Sequence, residues 1–135
     1  MAKTWQEKFD SKRPYEVKVI DKKFADMPAG TKMFIATPKI IDEYVNHIPE
    51  GVQVDISTMR IDLAAEYDAE MTCPVTTSIF LRVASEVAYE KYQNGNSIDS
   101  ITPFWRIITP KMPIAKKLSC GVDFISKQRA IENLA

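Results

Sequence analysis

Side chains able to do chemistry are few in this sequence, and they fall into three groups. The first is a pair of thiols, Cys73 and Cys120, accompanied by a single imidazole, His47. A cysteine nucleophile acts as its thiolate and needs a neighbouring base or an electropositive setting. Cys73 directly precedes Pro74, where the start of a helix lowers a thiol pKa through the helix dipole. His47 sits well upstream, ahead of a loop. No Cys/His pair has zinc-ligand spacing, so neither a metal site nor a cofactor is expected. Both cysteines read first as buried structural residues.

The second group is Thr76, Thr77 and Ser78, three hydroxyls at the start of an expected helix. With backbone N–H groups such residues meet phosphates, or they cap their own helix. The third group is Pro103-Phe104-Trp105-Arg106-Ile107, followed by Lys111, Lys116 and Lys117. Adjacent aromatics stack against a nucleic-acid base, since every base offers a π face, or they fill a core. The lysines form a phosphate-binding edge or stay solvated.

Charge is balanced overall, with 18 Lys and Arg against 18 Asp and Glu in 135 residues, which argues against a strongly basic nucleic-acid binder. The distribution is uneven. Residues 41–100 hold eleven acidic side chains and three basic ones, Arg60, Arg82 and Lys91, while Arg106 to Arg129 carry six cations against Asp123. The N-terminal stretch is basic too. Two cysteines, no signal peptide and no apolar run long enough for a membrane span point to a reduced, cytoplasmic protein with no membrane partner.

The positioning elements read as mainly helical with a small β element. Residues 1–34 form an irregular arm in which Tyr15-Glu16-Val17-Lys18-Val19-Ile20 permits a short strand. Residues 35–135 form the single domain that follows. Thr37 caps a helix with Pro38 at its first position, and Ile48-Pro49-Glu50-Gly51 ends it. Asp55 or Ser57 caps a second helix with an apolar stripe of Met59, Leu63, Ala64 and Tyr67. Pro74 opens a third, long helix that buries Val75, Ile79, Phe80, Val83, Ala84, Val87 and Ala88 and stops at Asn94-Gly95. Phe104 to Thr109 reads as a strand or extended loop, and a last helix starts at Asp123. Two helices, a turn and an extended segment suit a winged helix-turn-helix.

Residues 35–134 also resemble the DNA-binding domain of the O6-alkylguanine-DNA alkyltransferases. The likeness rests on the motif at Pro103 to Ile107, similar to Pro-Cys-His-Arg-Val and nearer to the Pro-Trp-His-Arg-Val of alkyltransferase-like proteins. It extends to Ile48-Pro49-Glu50-Gly51, Arg60-Ile61-Asp62-Leu63-Ala64, the Pro74 helix start, and Gly121, Gln128 and Glu132 near the end. The resemblance implies a winged-helix protein binding double-stranded DNA, with an alkylated or flipped base as target and a repair protein as further partner. The family's nucleophilic cysteine is Phe104 here, so alkyl transfer is not expected. The phosphate-pressing tyrosine becomes Arg60, and the arginine finger becomes Ser78, with Arg82 one turn further on. The implied contacts are Arg60, Thr76, Thr77, Ser78, Arg106, Lys116 and Lys117 on nucleic acid, with Phe104 and Trp105 as a base pocket. The alternative is a protein-interaction or small-ligand module on the same fold without DNA binding.

Overall fold

The computed structural model describes residues 3–134, so the final residue of the expected domain lies outside the described residues. A capping box starts the first element: Thr4 Oγ1 accepts from the Glu7 N–H, and the Glu7 carboxylate accepts from the Thr4 N–H. The helix it starts, α1 (Trp5–Phe9), occupies sequence expected to be irregular. The permitted strand forms as β1 (Glu16–Val19) and pairs antiparallel with β2 (Lys32–Ile35), Val17 opposite Phe34.

Thr37 then caps α2 (Pro38–Asn46) by accepting the Ile40 N–H, and Asp55 caps α3 (Ile56–Glu66) by accepting the Thr58 N–H. The short β3 (Met71–Thr72) pairs parallel with β2, completing a sheet of order β1-β2-β3. α4 (Pro74–Gln93), α5 (Pro113–Lys117) and α6 (Gly121–Ile131) follow. The described chain is therefore mainly helical with a small three-stranded sheet. The arm supplies two of the three strands, and α1 packs on α4, so the arm is built into the fold.

β2 is the central strand and is buried on both faces. Met33 faces a small cluster with Met27 and Cys73, while Phe34 faces the main core with Ile41, Met59, Leu63 and Leu81. Phe34 stacks on Tyr67 at 4.3 Å between ring centroids. A second aromatic group joins Phe104, Trp105, Tyr89 and Tyr92 around Phe124.

Two expectations need correction. Phe104 to Thr109 is no strand: Phe104–Arg106 is a 3₁₀ turn, and a loop follows. The buried face of α4 also departs from expectation at its start, because Val75 and Ile79 are about half exposed, at 48% and 53%. The rest of that expected face is covered, with Val83, Ala84, Val87 and Ala88 buried and Phe80 partly so, and Thr77, Leu81, Ser85 and Glu86 are buried beside them. Polar residues are tolerated there because the Thr77 and Ser85 hydroxyls donate to the carbonyls of Cys73 and Leu81, one turn earlier.

Leu81→Ala is expected to cost about 2–5 kcal/mol as a core truncation. Thr37→Ala should cost about 1 kcal/mol by removing the cap, and Val75→Ala should stay within about 0.5 kcal/mol. Urea denaturation of the three variants measures all of these.

Candidate nucleic-acid interface

The Pro103–Ile107 turn is held from below by one carboxylate. Glu132, just beyond α6, accepts from Arg106 Nε at 2.8 Å, Arg106 Nη2 at 3.0 Å, Trp105 Nε1 at 2.7 Å and the Gly51 N–H at 2.9 Å. Gly51 adopts φ +79°, a conformation that favours glycine, in the turn that aims its N–H at the carboxylate. Arg106 Nη1 donates to the Ile48 carbonyl, and the Val54 N–H donates to the Arg106 carbonyl. Arg129 adds a bond from Nη1 to the Trp105 carbonyl and another from Nη2 to Gln53. Both side chains of the Arg106–Glu132 pair are largely buried, at 15% and 6% exposure. Burial pushes the Glu132 carboxyl up, but hydrogen bonds from Arg106, Gly51 and Trp105 and the Arg106 charge outweigh it, leaving the group below its usual pKa.

Phe104 and Trp105 are core residues, at 1% and 2% exposure. Neither ring is free to stack a base: Phe104 is stacked on Phe124 at 5.9 Å, and the indole N–H is committed to Glu132. The polar hollow of about 360 Å³ beside Trp105 is lined by Glu50, Asp99 and Glu132 as well as Arg106, a poor setting for phosphates.

Arg60 is likewise occupied. Its guanidinium donates to both Asp26 oxygens, at 2.8 and 2.9 Å, and its Nε donates to the Thr72 carbonyl. Instead of reaching out to a phosphate, it ties the loop before β2 to β3. Thr77 is fully buried, and Thr76 Oγ1 is buried with no hydrogen-bond partner among the described residues. Ser78, Lys116 and Lys117 are exposed.

Ser78 and Lys117 meet in one place, an open cleft of about 510 Å³ between α1, the first half of α4 and α5. Its floor is apolar, from Ile56, Ile79, Val83, Met112, Pro113 and Ile114, and its rim carries Lys8, Arg82 and Lys117, with no carboxylate from the described residues in the lining. Trp5 stands at the edge with the Lys8 ammonium 4.5 Å and the Arg82 guanidinium 5.0 Å from its ring centroid. Arg82 is fixed from behind by the Lys117 carbonyl at 3.1 Å and by the buried carboxylate of Glu86, 3.7 Å from Nε. Glu86 also accepts from the Ser119 N–H and hydroxyl, which holds the turn leading into α6.

Comparison with protein-family models, with curated proteins and with solved structures finds no match. The site therefore stands on its own geometry. Cys73 is 3% exposed, and burial together with the Glu86 charge pushes the Cys120 thiol up to about 11, so Cys120 is not a thiolate at neutral pH. No cluster of potential metal ligands exists among the described residues, and no helix among them is long and apolar enough to cross a membrane.

Sequence reasoning did not single out Trp5, Lys8, Ile79 or Met112 as site residues. One signal was present: Thr4 and Glu7 have capping-box spacing, and Trp5 and Phe9 are one turn apart, which marks a short amphipathic helix.

Glu132→Ala is expected to destabilise by about 3–5 kcal/mol, since it strands the Arg106 charge in a buried site. The native Glu132 pKa lies below the ordinary value of 4.5. Its contribution is thus complete above the unfolded pKa and disappears as pH falls through the native one. Unfolding midpoints from pH 7 to pH 3 should therefore fall less steeply in Glu132→Gln than in wild type.

Proposed function

We propose that this chain is a non-catalytic nucleic-acid-binding protein of the alkyltransferase-like kind, holding DNA without transferring an alkyl group. The observation that carries the reading is the cleft at α4. Ser78 and Lys117, distant in sequence, come together with Lys8 and Arg82 above an apolar floor, with no carboxylate among the described residues of the lining. Cations at the rim suit phosphates, and an apolar floor suits a base or its alkyl group. In this reading α3, β3 and α4 act as the helix-turn-helix-like unit, the loop after Phe104–Arg106 takes the place of a wing, and Lys116 extends the cationic rim. Trp5, Ile79 and Met112 take the base-contacting role that the sequence pattern gave to Phe104 and Trp105. Arg106 keeps a bracing role through Glu132. Phe104 at the nucleophile position and the protonated Cys120 thiol support binding without chemistry.

A second reading, a protein-interaction module, draws on a different hollow. This one, between α2 and α3, is lined by Glu43 and Glu66 with no Lys or Arg, and it suits a basic partner.

Gel-shift titration of duplexes with and without O6-methylguanine across a salt series tests the first reading. Binding should weaken linearly in log[salt], and Lys116→Ala with Lys117→Ala should reduce the slope by about 1 for each phosphate no longer neutralised. Absence of binding at low salt, to the duplexes and to their separated strands alike, would remove the reading and favour the second. A benzylguanine probe should leave no adduct on Cys73 or Cys120 by mass spectrometry.

A further inference from the structure

The first turns of α4 border three hollows, and the three adjoin. The cleft described above shares Lys8, Ile79 and Val83 with a second hollow of about 280 Å³, bounded by Arg13 and Pro14 of the arm and by the β2–α2 turn. The second shares Ile35 and Thr76 with a third of about 490 Å³, which lies over the sheet beside Lys18, Lys22 and Lys23.

Charge along this path is one-sided. The first cleft contributes Lys8, Arg82 and Lys117, the second adds Lys3 and Arg13, and the third adds Lys18, Lys22 and Lys23, with Asp21 as the one carboxylate in the three linings. Two hollows elsewhere on the molecule are lined instead by Glu50, Asp99 and Glu132, and by Glu43 and Glu66. In a chain of zero formal charge, the linings of these hollows thus differ in sign.

The path is also apolar beneath the cations. Phe24 and Val75 in the third hollow are 40% and 48% exposed, and Ile79 in the first is 53% exposed beside Trp5. A duplex offers phosphates to the cations but, one flipped base in the first cleft apart, keeps its base faces stacked, which leaves the apolar side chains along the rest of the path without partners. An unpaired strand presents both, phosphates along one edge and free base faces along the other. A polyanionic peptide without apolar side chains would satisfy the cations alone.

We propose that the three hollows form one track for a single, unpaired nucleic-acid strand, running from Lys117 and Arg82 past Lys8 and Arg13 to Lys18, Lys22 and Lys23. The inference rests on the nucleic-acid-binding reading and adds strandedness, together with a role for the arm.

Fluorescence anisotropy of the full chain with a labelled 12-nucleotide strand, and with the same strand in a blunt duplex, tests it. The single strand should bind at least about tenfold more tightly. Replacing Lys18, Lys22 and Lys23 by alanine should weaken strand binding about 10- to 100-fold and shrink the salt slope by about 0.7 for each phosphate left unneutralised. Circular dichroism should be unchanged, because all three lysines are exposed. Trp5→Leu keeps an apolar side chain yet should also weaken the strand, and it should abolish quenching of tryptophan emission on binding. Equal affinity for duplex and strand would sink the track while leaving DNA binding intact. So would an unaffected triple variant, or equally effective competition by polyglutamate. No binding to either nucleic acid would sink both readings.

Discussion

The buried carboxylate of Glu132 is the point through which the C-terminal half of this protein is assembled. It gathers the Arg106 guanidinium, the Trp105 indole N–H and the Gly51 N–H, so α6, the 3₁₀ turn and the turn after α2 are fixed to one another by a single group. A buried carboxylate is costly unless its lone pairs are filled, and here four donors fill them. Glu86 repeats the device on a smaller scale, joining the middle of α4 to the start of α6 through Ser119 and standing behind Arg82. Two inward-facing acids thereby set the position of α6, and with it the aromatic group around Phe124.

This arrangement separates scaffold from surface. Residues of the Pro103–Ile107 motif are spent on packing and on bracing, with both rings buried. The side chains left facing outward with unmatched character lie along the first turns of α4 and on the arm that crosses them. There Ile79 is exposed although it sits on a helix that is otherwise well covered, because α1 is only five residues long and has no fully buried residue of its own. A short strap of this kind leaves an opening on each side of itself.

Much of the helical frame was legible, and for a local reason. Thr37-Pro38, Asp55 and Pro74 are start signals whose chemistry is complete within one turn, and α2, α3 and α4 begin where they stand. The permitted strand at 16–19 formed as well. What was not legible depended on contacts distant in sequence. Arg60 looked available for a phosphate because nothing near it in sequence announces Asp26, 34 residues away, as its partner. The inward turn of Thr77 rather than Val75 follows from which neighbours cover α4, which periodicity does not encode. Trp105 read as a pocket wall or as core, and the contact that commits it to the core, Glu132, lies 27 residues on. The cleft was hidden for the same reason: its parts come from α1, α3, α4 and the segment around α5.

The order of the sheet has a consequence for how the chain acquires its structure during synthesis. β1 and β2 are neighbours in sequence and can pair as soon as residue 35 is free, but a two-stranded ribbon is marginal in water. The third strand is only two residues long and arrives after α2 and α3 have been made. Until then Met33 and Phe34, buried on opposite faces of the finished β2, have no complete cover on either side. The nascent arm therefore passes through an interval in which its most apolar strand is exposed, and closure of β2 against Met71 and Thr72 ends it. The lysines that flank this strand, Lys18 opposite Met33 and Lys32 beside it, place charge where edge-to-edge association would otherwise begin.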